Sequence, residues 1–374
     1  MLLTPRQLNR TTLARQLLSK RELLTVPEAL RRVTALQAQE AASPYVALWN
    51  RLANFDPAEL DAAFHHREVV KATLMRITLH AVLAEDHAAF QVAMRPNLRA
   101  SCLNDPRFTR SGLSAPDVDA LLPLLLDFTR EARSKRDIEA FLTARLGFHH
   151  AGVWWAVRRY APLRHAPSDM PWSFGTRPAY ETASLDEAPH EACVQRLVRR
   201  YLEAFGPATV RDMQGFTLLR APVIRAALLG LRDELMQTSG PGGLTYFDVR
   251  SGVIADEDTP APPRLMAMWD SVLLAYANRA RIIPPAYRRV VIRQNGDVLP
   301  TVLVDGYVAG VWRPAASGIE IKAFTDLPSG AWEALSNEAA DLRAFLEGRD
   351  ARVYARYGHW WSQLPAAETR MLPA

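Results

Sequence analysis

The chain has 374 residues, 49% of them hydrophobic, ample for two to three domain cores at about 150 residues each. Its net charge is +5 with a pI near 9.3, and of 45 lysines and arginines only Lys20, Lys71, Lys135 and Lys322 are lysine; the arginine excess fits a GC-rich genome and equally suits phosphate, because the guanidinium fork is planar and bidentate. Cys102 and Cys193 stand outside any CxxC or CxxxH spacing, which suggests neither a disulfide framework nor a cysteine zinc site, and MLLTPRQLNR lacks a signal-peptide core, so a cytoplasmic protein without membrane spans is expected.

An opening helix is predicted over about residues 5 to 19. Thr25-Val26-Pro27-Glu28 reads as a capping box, and Ala29, Leu30, Val33 and Leu36 continue from it at helical spacing. The same punctuation returns at Ser134-Lys135-Arg136-Asp137, after a helix over 116–133, and at Thr209-Val210-Arg211-Asp212, after a helix over 188–205. A further helical stretch follows each box, at 44–53, 152–160 and 221–231, and then strand-like residues. In the first copy Asp56-Pro57 starts an extra helix before VVKATLMRITLHAVL, which alternates like a hairpin. In the third, Gly240-Pro241-Gly242-Gly243 separates two short strands, a helix-turn-helix with a wing. The second is vaguer, since PWSFGTRPAYETA carries two prolines.

These elements predict a helix-rich α+β chain of three tandem winged-helix units, at 1–112, 113–186 and 187–260. A β-rich part over 264–374 completes it. There a helix carrying Trp269 and Tyr276 is expected, then hairpin turns at Asn295-Gly296 and Asp305-Gly306 and a closing helix over 331–347. Pro260-Ala261-Pro262-Pro263 is the one linker-like segment, so the units are expected to pack into one body.

No glycine-rich phosphate loop, Walker lysine or HExxH motif occurs. Adjacent histidines at 65–66 and 149–150 diverge on helix or strand, so no metal is expected. Gln37-Ala38-Gln39 is harder to dismiss. On a helix these side chains would leave about 200° apart, but Ser43-Pro44 argues that the helix frays after about Leu36, and in extended chain they share a side. An amide donates to and accepts from one water without titrating, so such a pair orients a nucleophile rather than deprotonating it. The plainer reading is two loop glutamines that satisfy backbone ends. In Leu74–His80, alternation places Arg76, Thr78 and His80 on one face, either the wet side of a wing or a grip on phosphate or base.

The runs VTALQAQEAASPYVALWNRL, MRITLHAVLAEDHAAF, GPATVRDMQGFT and VVIRQNGDVLPTVLVDGYVAGVWR, in that order, resemble the winged-helix DNA glycosylase family that contains AlkZ and YcaQ. The likeness spans nearly the whole chain. It implies three winged helices around a concave DNA-binding channel, with duplex DNA as partner, a monomeric state and no cofactor. It implies hydrolytic release of N7-alkylated purines and unhooking of interstrand crosslinks. The family motif is Gln-x-Gln or Gln-x-Asp; Gln37 and Gln39 therefore stand as the catalytic pair of an AlkZ-like branch, which is associated with self-protection against azinomycin B. Arg76, Thr78 and His80 are then expected to grip backbone or lesion, and Arg31 and Arg51, with Arg32, Arg67, Arg99, Arg107 and Arg110, to meet phosphates. No lysine has a persuasive setting for a lyase step, so a monofunctional enzyme is expected. The alternative is a non-catalytic winged-helix DNA binder such as a transcriptional regulator, against which three unlike units without a dimerising helix speak.

Overall fold

The computed structural model describes residues 2–185 and 188–373. All three expected capping boxes form, Thr25 with Glu28, Ser134 with Asp137 and Thr209 with Asp212, starting helices Val26–Val33, Lys135–Leu146 and Val210–Thr217. Two more, Thr4 with Gln7 and Ser114 with Asp117, start Pro5–Arg15 and Ala115–Phe128. In each box side chains take up backbone N–H groups that the first helical turn leaves without partners. The next helices of the three repeats are Ser43–Trp49, Ala151–Tyr160 and Ala221–Gly230. Antiparallel hairpins follow: Val69–Thr73 with Leu79–Leu83, Leu163–Ala166 with Ala179–Thr182, and Leu235–Ser239 with Thr245–Val249.

The first two hairpins do not stand apart. Lys71 pairs with His165 and joins them in a six-stranded sheet, edged by Leu36–Gln37 and by Arg133–Ser134, whereas the third hairpin stays two-stranded. The cores are shared in the same way: one combines residues of the first repeat with the C-terminal part, and another draws on all three repeats. The 20-residue helix Ala84–Leu103, unexpected from the sequence, packs against His190–Phe205 and carries the second of these cores.

The C-terminal part is a five-stranded antiparallel sheet in the order Glu368–Leu372, Gly318–Ala323, Tyr307–Ala315, Thr301–Val304, Arg264–Leu265, with helix Ser329–Glu347 against it. Asp305-Gly306 makes the expected hairpin turn, both residues at positive φ. Two expectations fail here. The helix through Trp269 and Tyr276 shrinks to Ser271–Leu274, because Trp269 takes a positive φ of 55° and Asp270 caps the start; with residues 264–276 all buried, no polar stripe marks this in the sequence. Asn295-Gly296 turns the chain but joins only an isolated bridge between Ile292 and Val298, since Arg288–Val291 is helical. Among the described residues no helix is long and apolar enough to cross a membrane.

Candidate active site

The helix that leads to the glutamines stops at Val33, three residues earlier than expected. Thr34 takes a positive φ of 70°, and its hydroxyl donates to the Arg200 carbonyl (2.9 Å). The chain then runs extended and adds a short strand to the first hairpin, with Leu36 opposite Ala81 and Gln37 opposite His80. Pairing persists to Ala38, whose amide donates to the Leu79 carbonyl (2.8 Å). Gln39 is the first residue beyond it.

The two glutamines differ in setting. Gln37 is buried; its Nε2 donates to Thr78 Oγ1 (3.1 Å), and its Oε1 accepts from the Ala38 amide (3.1 Å). A primary amide carries two N–H groups and two lone pairs, so Gln37 is held rigidly while one donor and one acceptor stay uncommitted. Gln39 is exposed. Among the described residues no hydrogen bond joins the two amides.

The hairpin supplies the surroundings. Its turn has Arg76 and Ile77 at φ 55° and 60°, closed by a Thr78 N–H to Met75 carbonyl bond (3.1 Å). Two-residue turns of this hand favour Asn-Gly, and a β-branched residue at positive φ is strained. The sequence reading of Arg76, Thr78 and His80 as one strand face is therefore corrected, since Arg76 sits in the turn. The three still meet: Thr78 Oγ1 donates to Met75 O (3.0 Å) and accepts from Gln37, while His80 approaches the Thr78 carbonyl through Nδ1 (3.1 Å) and Arg76 Nη2 through Nε2 (3.4 Å). The guanidinium of Arg76 lies over the Phe216 ring (5.0 Å), so the first repeat's turn touches the third repeat's helix. Its Nη1 is buried without a hydrogen-bond partner, and burial, with Arg279 nearby, lowers its pKa to about 9.

His80 is fully buried and cannot touch DNA directly, contrary to expectation. Burial, then the charge of Arg76, lowers its pKa to about 3, so it is neutral near pH 7. With Arg76 as donor, Nε2 accepts and Nδ1 carries the proton toward Thr78. His87, also buried, falls to about 4. Both values lie below the ordinary 6.5, so the unfolded chain takes up protons that the folded chain refuses. His165 is likewise held well below its ordinary value, by burial and then by Lys71, so the stability these three histidines contribute is present above about pH 6.5 and declines as the pH falls toward 4, with a slope approaching about 4.1 kcal/mol per pH unit for three protons. Urea unfolding between pH 7 and pH 5 reads it, and a midpoint independent of pH across that range would contradict these assignments.

The arginines expected at phosphates divide. Arg51 is the clearest correction: fully buried, it makes a two-pronged pair with Asp270 (2.8 and 2.9 Å) and faces no solvent. Arg67 pairs with Glu181, Arg99 with Asp119 and Arg107 with Asp105. Arg31 and Arg32 are exposed, Arg31 with only a loose contact to Glu85 (3.8 Å). Lys71 was passed over in the sequence. Burial lowers its pKa to about 8, but it shares a sheet row with Leu36 and Ala81, on the face opposite the Gln37–His80 row, so its amine is not offered to the glutamines. Glu40 was also missed; it lies beside Gln39 and accepts from the Tyr357 hydroxyl (2.9 Å). No spacing rule marks such a partner 317 residues away.

With this geometry stand the likenesses to known proteins. Over 362 residues the chain is 26% identical to an interstrand DNA cross-link repair glycosylase of Streptomyces sahachiroi, covering 90% of this chain and 95% of that protein. The solved structure of Streptomyces sahachiroi DNA glycosylase AlkZ superposes with a TM-score of 0.77 at 21% identity, covering 92% of this chain and 96% of that one. The DNA glycosylase AlkZ-like family matches residues 30–345, from the helix before Gln37 into the closing helix, and the chain belongs to that family.

Proposed function

We propose that the protein is a monofunctional DNA glycosylase that releases N7-alkylated purines and unhooks interstrand crosslinks, with Gln37 and Gln39 as its catalytic pair. Alkylation at N7 leaves the base cationic, so the bond from C1′ to N9 breaks with its electron pair passing to the base, and no general acid is needed. Water adds to C1′ and releases its proton to solvent. What the protein must supply is a water held against an oxocarbenium-like sugar, a positioning and dipole task. The observation that carries this reading is a buried Gln37, rigid yet with a free donor and acceptor, two residues from an exposed Gln39. The three helical repeats, taken as winged-helix units, line the DNA path, with Arg31 and Arg32 facing phosphates. Protection of a producing cell from a crosslinker of the azinomycin B type is the role this lesion class suggests.

The test uses an oligonucleotide duplex carrying N7-methylguanine, and a second with an N7-linked interstrand crosslink. Abasic sites are expected from both, well above spontaneous depurination. Loss of that product from either would remove the corresponding substrate. A sequence-selective shift of undamaged DNA with no abasic product would make the protein a non-catalytic binder instead.

A further inference from the structure

The turn bearing Gln39 has little of its own to hold it. From residue 39 to residue 43 its one internal backbone bond runs from the Ser43 amide to the Glu40 carbonyl (3.1 Å). It is held instead from the far end of the chain. The segment Ala355–Gln363, a run of 3₁₀ turns, sends the Tyr357 hydroxyl to Glu40 Oε1 (2.9 Å) and pairs Arg356 with the same carboxylate. Just before it, the buried Tyr354 shares a hydrogen bond with Ser43 Oγ (3.1 Å) and accepts from the Met268 amide (3.3 Å). Both rings are themselves fixed, Tyr357 edge-on to Trp269 (5.4 Å between centroids) and Tyr354 against Trp312 (5.8 Å). The family match ends at residue 345, so these contacts come from outside the matched core.

We propose that Tyr357 and Arg356 are positioning residues for the reaction: through Glu40 they set the direction of the Gln39 amide and keep a carboxylate, one residue away, from rotating into the site. A free carboxylate beside Gln39 would compete for the water and for the sugar cation. Anchoring it turns the last flexible step of the glutamine motif into a fixed one. Tyr354 and Ser43 hold the other end of the turn, so the grip spans both sides of residues 40–43. This inference rests on the reading of Gln37 and Gln39 as the water-holding pair.

The experiment is single-turnover excision of N7-methylguanine at saturating protein, with DNA affinity measured separately. Tyr357→Phe combined with Arg356→Gln keeps the ring against Trp269 and removes both bonds to Glu40. The excision rate should fall about ten-fold or more, the scale of a small misplacement at a reacting centre, while affinity for DNA stays within two-fold, about the spread of context effects. Glu40→Ala should also slow excision, but by less than the double variant, because it loses the tether without freeing a carboxylate, and adding it to the double variant should cost nothing further. Glu40→Gln, which still accepts from Tyr357, should keep most of the rate, whatever happens to thermal stability. Unchanged excision in the Tyr357/Arg356 variant, multiplying losses, or a Glu40→Gln variant as slow as Glu40→Ala would each overturn the proposal. Failure of the glutamine reading looks different: Gln37→Ala and Gln39→Ala would then match the unaltered protein.

Discussion

Replacing Gln37 by alanine should lower single-turnover excision of N7-methylguanine by about 100-fold to 1,000-fold, the usual effect of removing one preorganised dipole at a reacting centre. Affinity for the lesion duplex should hardly move. The expectation follows from the way Gln37 is held. Its Nε2 is committed to Thr78 and its Oε1 to the Ala38 amide, so the amide plane is fixed before substrate arrives. Gln39→Ala should fall by a similar factor, since an exposed amide beyond the strand end is free to face the water from the other side. On the proposal that the two act on one water, the double variant should be little slower than either single one. Gln37→Glu is the sharper probe. It keeps the shape but loses the donor to Thr78, whose own proton already goes to the Met75 carbonyl, and it sets a carboxylate oxygen against the Thr78 hydroxyl oxygen. That variant should also excise poorly, even though a carboxylate is the better base. Full activity in Gln37→Ala, or strict multiplication of the two alanine effects, would end the shared-water assignment.

The parts that sequence revealed are those governed by local chemistry. A threonine or serine three residues before an acid can satisfy a helix start in one way, and all three predicted boxes are present. Asp305-Gly306 belongs to the same class, because its positive φ values call for these residues in a tight hairpin. Long-range choices were invisible. Nothing in VVKAT says that Lys71 will pair with His165 and weld two repeats into one sheet. The helix Ala84–Leu103 was hidden because it begins at the residue after a strand, with no side-chain cap to mark its start, and contains Pro96. At the site, Gln37 and Gln39 were nameable from spacing and resemblance. Their inequality was not, since it depends on where the helix stops, and Thr34 stops it by reaching a carbonyl of Arg200.

Arg51→Ala should destabilise the fold by about 3–5 kcal/mol, the range for removing one partner of a buried ion pair. In sequence Arg51 looked like any other arginine near the motif. In the fold it shows no exposed surface, with Nη1 shared between Asp270 and the Ala47 carbonyl (2.9 Å) and Nη2 on the other oxygen of Asp270. Alanine leaves that carboxylate buried and uncompensated. The damage should also reach the site, because Ser271, next to Asp270, donates to the carbonyl of Ala35 (2.9 Å), two residues before Gln37. Removing both charges with Arg51→Met and Asp270→Asn should recover part of the loss, because well-packed neutral groups avoid the cost of burying ions. Urea unfolding measures the stability, and the salt dependence of DNA binding gives the independent check. A buried structural arginine leaves the slope of log affinity against log salt unchanged, whereas a phosphate contact would reduce its magnitude by about one. A stability loss below about 1 kcal/mol together with such a reduced slope would return Arg51 to the DNA interface.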